Sequence, residues 1–187
     1  LRRSSAASDV YKRQVPSHAA KKGITILYIL RDMLKVARTR KEASKILFNG
    51  DVKINGVIRK DDAFPVQVFD TVSLDKTKKH YRLAIVNKKF NLEEISEKDA
   101  EKKIVKIIGK TIIDKKTIQM NLEDGSNVLS KDKFSVGDSV LYNTKAKKVE
   151  KVLPLKKGAK VEIVAGKHAG KEGELTGFEE LVRGKNY

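Results

Sequence analysis

Cysteine and tryptophan are both missing from this chain of 187 residues. The first absence excludes disulfides, thiolate metal sites and a thiol nucleophile; it fits a reducing compartment and fits many secreted bacterial proteins equally well. The second removes a common interfacial anchor, and the longest apolar runs are about half a dozen residues where a spanning helix takes about 20. No membrane partner is expected. Histidine is scarce as well. His18, His80 and His168 lie far apart with no acidic neighbour at ligand spacing, so neither a zinc site nor a Ser/His/Asp set is indicated. His18 and His80 read as surface residues. Gly166-Lys-His-Ala-Gly170-Lys171 is one residue short of a phosphate-binding loop, and Glu172 stands where a magnesium-binding Ser or Thr is needed. The acidic pairs Asp61-Asp62 and Glu93-Glu94 read as solvated surface charge. No catalytic residue, metal, cofactor or small-molecule substrate is expected, and neither an internal repeat nor a low-complexity tract is present.

What the chain has is positive charge. Lys and Arg number 41 against 24 Asp and Glu, a formal net charge of +17, which calls for a polyanionic partner, nucleic acid before an anionic membrane surface. The length allows one large domain or two to three small ones, and small ones bury only modest cores. Residues 1–22 carry six basic residues and one acidic with little apolar periodicity, as a solvated or partner-ordered tail does. Leu1 to Gln14 has no apolar core of signal-peptide length and reads as a translated flanking segment, and residues 1–22 are expected to be a disordered or non-native basic segment. Residues 31–60 carry nine basic residues and three acidic, but here the apolar residues are regularly spaced. That combination predicts a folded element with one basic face.

A first helix is predicted from Thr25 to Ala37, where Ile26, Ile29, Leu30, Met33, Leu34 and Ala37 form one apolar stripe and Arg31, Lys35 and Arg38 stand together on the other side. A second begins at Thr39, with Thr39 and Glu42 at capping-box spacing, buries Ala43, Ile46 and Leu47, and ends at Asn49-Gly50. Val52–Ile54 and Val57–Arg59 follow as β runs joined by Asn55-Gly56, which favours a type I′ turn. Asp61 to Pro65 reads as a loop, and Val66 to Leu74 as β with Asp70 turning the chain. Beyond this, one short helix is expected at Ser96 to Lys103, and otherwise strands separated by turns at Glu123–Gly125 and Val136–Asp138. Alternation through Ala159, Val161 and Ile163, then Gly166, Gly170 and Gly173, suggests a small terminal barrel.

The basic residues coincide with definite elements. Arg31, Lys35, Arg38, Arg40, Lys41 and Lys45 on the helices, with Lys53 and Arg59 on the ribbon, could line one surface. Guanidinium groups grip phosphate bidentately and stack on bases, while Lys acts as a mobile point charge. The bland alternative, a solvated face without a partner, would leave a large self-repulsion uncompensated.

These residues also carry a family resemblance. Arg31-Asp32, Thr39-Arg40-Lys41-Glu42-Ala43, Ile46-Leu47, Gly50 through Gly56, and Phe69-Asp70 resemble the S-four RNA-binding motif. Lys156 to Gly173, with Gly166-Lys167-His168-Ala169-Gly170 as its glycine loop, resembles the KOW motif. That order of modules is similar to the archaeal and eukaryotic ribosomal protein S-four-e family, over roughly Val15 to Leu181. The resemblance implies a multidomain α+β protein: an S-four-like αα-β ribbon module at 23–76, a central mostly antiparallel β domain at 77–154, and a small SH3-like KOW barrel at 155–187. It further implies RNA-facing roles for Arg31, Lys35, Arg38, Arg40, Lys41, Lys45 and Lys53, with Lys167 and His168 in the second module. Leu1 to Gln14 does not resemble the family's basic N-terminal arm, and the family's C-terminal extension is expected to be cut short after Leu181.

The expected function is a non-enzymatic constituent of the small ribosomal subunit in the cytoplasm. Its expected partners are small-subunit ribosomal RNA and neighbouring ribosomal proteins, without homo-oligomerisation. Two other readings stay open at this point. An RNA-modifying enzyme docking through an S-four module would need a catalytic domain after Leu74, and a transcription or RNA-handling factor would use its KOW module on a polymerase or ribosome.

Overall fold

The computed structural model describes residues 23–114, 117–130 and 133–177, so the expectations for residues 1–22, His18 among them, and for the chain beyond 177 lie outside the described residues. The architecture is mostly antiparallel β with few, short helices. β1 (Gly23–Thr25) pairs with β4 (Pro65–Gln67). Between them, α1 (Ile26–Tyr28) runs into a π-helical turn over Ile29–Met33. There the Leu34 N–H bonds back to the Ile29 carbonyl at 2.9 Å, and Lys35 turns left-handed at φ 54°. The predicted helix to Ala37 is therefore too long: a widened turn and a left-handed residue end it at Met33. The apolar stripe holds nonetheless, because Ile26, Ile29, Leu30 and Ala37 are buried and Met33 and Leu34 pack against them.

The second helix, α2 (Arg40–Phe48), starts where expected. Thr39 Oγ1 accepts the Glu42 N–H at 3.3 Å, and Glu42 Oε2 accepts the Arg38 N–H at 2.8 Å. A cap of this kind contributes about 1 kcal/mol. Ala43 and Leu47 face the core, and the chain leaves the helix through Asn49 and Gly50. β2 (Val52–Ile54) and β3 (Val57–Ile58) then form a hairpin. Asn55 and Gly56, at φ 50° and 77°, supply the left-handed pair that its turn requires.

A five-stranded sheet in the order β3-β2-β5-β6-β7 adds β5 (Thr71–Leu74), β6 (Lys79–Val86) and β7 (Lys89–Ile95) to that hairpin. Residue 76 thus lies in the connection between two paired strands, and Leu83 of β6 belongs to the first core. Next comes α3 (Glu97–Ala100), capped by Ser96. The expected helix to Lys103 is corrected, because β8 (Lys102–Asp114) begins at Lys102 and its backbone is taken up by β11 (Ser139–Asn143). The second sheet runs β10-β9-β8-β11-β12, with β9 (Thr117–Leu122), β10 (Asn127–Ser130) and β12 (Lys148–Leu153). Its core gathers Val105, Ile107, Met120, Leu122, Phe134, Val140 and Tyr142. Among the described residues the last segment is a hairpin of β13 (Lys160–Glu162) and β14 (Glu172–Glu174).

The two cores are joined by polar contacts. Asp70, fully buried, accepts hydrogen bonds from Asn55 Nδ2 at 2.9 Å and from the Gln67 N–H at 2.8 Å. Lys103 Nζ, 4% exposed, stands 2.6 Å from Asp70 Oδ1 and 3.5 Å from Asp124 Oδ2. These are ion-pair contacts without good hydrogen-bond alignment at the ammonium. Thr71 Oγ1 donates to the Ala100 carbonyl at 3.0 Å, and Arg82 Nη2 donates to the carbonyls of Asp99 and Lys102. Lys103→Ala would remove the ammonium that stands 2.6 Å from the buried Asp70 carboxylate, so a loss of about 3–5 kcal/mol is expected in urea unfolding. A loss below about 1 kcal/mol, the worth of an exposed pair, would contradict this role.

Candidate nucleic-acid interface

The structure separates the candidate basic residues by whether an acid already holds them. Arg31 is gripped by Asp32 through Nε and Nη2, at 3.1 and 2.9 Å to Oδ2. Arg40 makes a two-pronged pair with Asp62, 2.6 Å from Nε to Oδ2 and 3.2 Å from Nη2 to Oδ1. In both, the hydrogen bond and then the opposite charge hold the guanidinium pKa above its ordinary value. Lys53 Nζ reaches Asp75 Oδ2 at 2.6 Å. Arg59 turns inward, with its guanidinium 4.5 Å from the centre of the Phe64 ring and its Nε buried.

Lys35, Arg38, Lys41 and Lys45 are different: all are exposed, and no ion pair forms on their side chains among the described residues. Lys41 and Lys45 are one turn apart on α2, opposite the buried Ala43 and Leu47. Lys35 and Arg38 do not share a helical face with Arg31 as expected. Because the helix stops at Met33, they lie on the loop that leads into α2. Lys60, adjoining Arg59 in the same basic stretch, is also exposed and adds a cation that no sequence motif singles out.

Lys167 and His168 are exposed on the β13–β14 loop, which sits elsewhere on the molecule. Gly170 in that loop approaches the Ile85 carbonyl and Asn87 N–H so closely, at φ 81°, that a Cβ would meet the Ile85 oxygen at 2.6 Å. The loop thus rests at the β6–β7 turn, away from β2 and β3 in the sheet order. Its paired strands are acidic, with Glu162, Glu172 and Glu174 against Lys160: Glu162 lies across from Glu172, and burial, then Glu172 and Glu93, push the Glu162 carboxyl up. His80 is not a free surface group, since its Nδ1 lies 2.8 Å from Ser73 Oγ across β5 and β6.

The site's arrangement, unpaired cations on a helix and its leading loop beside a β ribbon, suits a phosphate backbone. Comparison with known proteins places two segments of the chain in described families. The S4 domain model matches residues 28–72, and the model of ribosomal family S4e matches residues 77–149. The small ribosomal subunit protein eS4 of Archaeoglobus fulgidus is 36% identical over 169 residues, covering 90% of this chain and 71% of that protein. The chain belongs to the ribosomal S4e family. Its eS4 relative in Methanosphaera stadtmanae is 37% identical over 165 residues, covering 88% of this chain and 68% of that protein. In structure, the S4e fold is similar to the crystal structure of the 30S ribosomal protein S4e from Thermoplasma acidophilum. That likeness has a TM-score of 0.73 at 28% identity, covering 88% of this chain and 85% of that one.

The Arg40–Asp62 pair gives a pH signature. Hydrogen bonds from Arg40, and its charge, hold the Asp62 carboxyl below its ordinary value against an opposing push from burial. A carboxyl depressed in the folded state stabilises above its unfolded pKa of roughly 3.9 and loses that contribution as pH falls through the lower folded value. Asp62→Asn should therefore lower the melting temperature at pH 7 and bring it close to that of the parent at pH 2. An equal difference at both pH values would contradict the pairing.

Proposed function

We propose that this S4e-family chain is a structural, non-catalytic constituent of the small ribosomal subunit in the cytoplasm, binding and stabilising small-subunit ribosomal RNA. The observation that carries this reading is the set of exposed cations held in no ion pair among the described residues, at Lys35, Arg38, Lys41 and Lys45, inside the segment that matches the S4 domain. Phosphate charge supplies the affinity, and the shape of an RNA junction supplies the selectivity. Arg31, Arg40 and Lys53 contribute less to phosphate binding, because Asp32, Asp62 and Asp75 already satisfy them. Arg59 serves mainly as packing against Phe64.

The domain organisation that suits this role is an S-four-like module over 23–76, a central β domain over 77–154 and a KOW barrel from 155, with residues 1–22 as a separate basic tail. The hairpin β13–β14 is consistent with part of such an SH3-like barrel. Lys167 and His168 form a second contact there, to RNA or to a neighbouring ribosomal protein. A single copy acts within the subunit.

The test is salt dependence. The logarithm of the binding constant for small-subunit RNA should fall linearly with the logarithm of salt concentration, and each of Lys35, Arg38, Lys41 and Lys45 changed to Ala should make that slope shallower by about 1. Arg40→Ala should change it less. Folded stability should move little, since exposed cations contribute little to folding. A nearly flat salt dependence of the parent would contradict the proposal.

A further inference from the structure

Phe48 is the most exposed large hydrophobic side chain among the described residues, at 73%. A scattered exposed apolar residue needs no explanation by itself. The company this one keeps is the informative part. It lies one turn beyond Lys45 and two beyond Lys41 on α2, so the three occupy one stripe, opposite Ala43 and Leu47 in the core. Lys60 brings its ammonium 5.1 Å from the centre of the Phe48 ring. With one cation over it, the ring still leaves most of its surface to solvent.

Two kinds of partner use an open aromatic ring: an unpaired nucleobase and an apolar side chain of another protein. Charge decides between them. Lys41, Lys45 and Lys60 are exposed and pair with no acid among the described residues, so the surroundings of the ring suit an anionic chain. A nucleotide carries its base and its phosphates within such reach of each other, and base–aromatic stacking tolerates any base.

We propose that Phe48 is a stacking platform for one unpaired base of the bound RNA, with Lys41, Lys45 and Lys60 holding the phosphates on either side. This rests on the RNA-binding reading, and the two can fail separately. Stacking adds affinity without releasing counterions, so its loss leaves the salt slope unchanged, whereas loss of a phosphate contact makes it shallower. The test measures binding to small-subunit RNA across a salt series for F48A, F48L, F48Y, F48W and the K41A/K45A pair. F48A and F48L should each bind about ten-fold more weakly at the parent's slope. F48Y and F48W should keep the parent's affinity. Since the chain has no other tryptophan, the indole of F48W reports directly, and RNA should quench its fluorescence. Unchanged affinity in F48A alongside weaker binding by K41A/K45A would overturn the platform and leave the RNA-binding reading intact, as when Phe48 faces a neighbouring protein. A shallower slope in F48A would also overturn it, because the ring would then act only by placing the lysines. Unchanged binding by both F48A and the lysine pair would overturn both readings.

Discussion

The carboxylate of Asp70 and the ammonium of Lys103 meet 2.6 Å apart, in a place that solvent barely reaches. Around them converge the β2–β3 turn through Asn55, the β4–β5 turn through Gln67, and the start of β8. Asn55 adds to this by accepting the Thr71 N–H at 3.0 Å, and Thr71 in turn reaches back to the end of α3. A buried pair of this sort stabilises little more than apolar side chains of equal volume would. Its consequence is positional: an apolar substitute could slide, whereas opposed charges, with the directional hydrogen bonds that Asp70 accepts from Asn55 and Gln67, hold one register. The ribbon beside α2 is thereby tied to the second sheet, while α2 itself packs on the first core through Ala43 and Leu47.

Acidic residues shape the candidate interface by holding some of its basic ones. Asp32, Asp62 and Asp75 each neutralise one cation of the first module, and Asp62 also accepts from Ser44 at 3.4 Å, which ties α2 to the loop before β4. The cations left over form a narrower surface than the count of basic residues suggests. An RNA backbone attracted to it would meet Lys35, Arg38, Lys41 and Lys45 directly, and would have to displace a carboxylate to engage Arg31, Arg40 or Lys53. That displacement opposes binding.

Local signals were legible in the sequence. The Thr39–Glu42 spacing, the Asn55-Gly56 pair and the stripe from Ile26 to Ala37 each depend on residues a few positions apart, and each appears as expected. The order of the two motifs was enough to reach the family. Features set by distant contacts were not legible. Periodicity continues past Met33, but the hydrogen bonds widen there and Lys35 turns left-handed, which no apolar pattern encodes. Lys102 and Lys103 carry on a helix-compatible run, yet the backbone partners waiting on β11 take them into a strand. Likewise, Arg40 and Lys53 looked free because Asp62 and Asp75 lie about 20 residues further along the chain, and only the fold brings them close.

If this chain binds small-subunit RNA as proposed, the outer face of α2 lies on that RNA. A photo-crosslinker placed at position 41 or 45 and activated within assembled small subunits tests it most directly. Crosslinks to ribosomal RNA are expected from both positions, clustered on one local RNA structure. Crosslinks to proteins alone, or none at all from subunits that contain the chain, would contradict it.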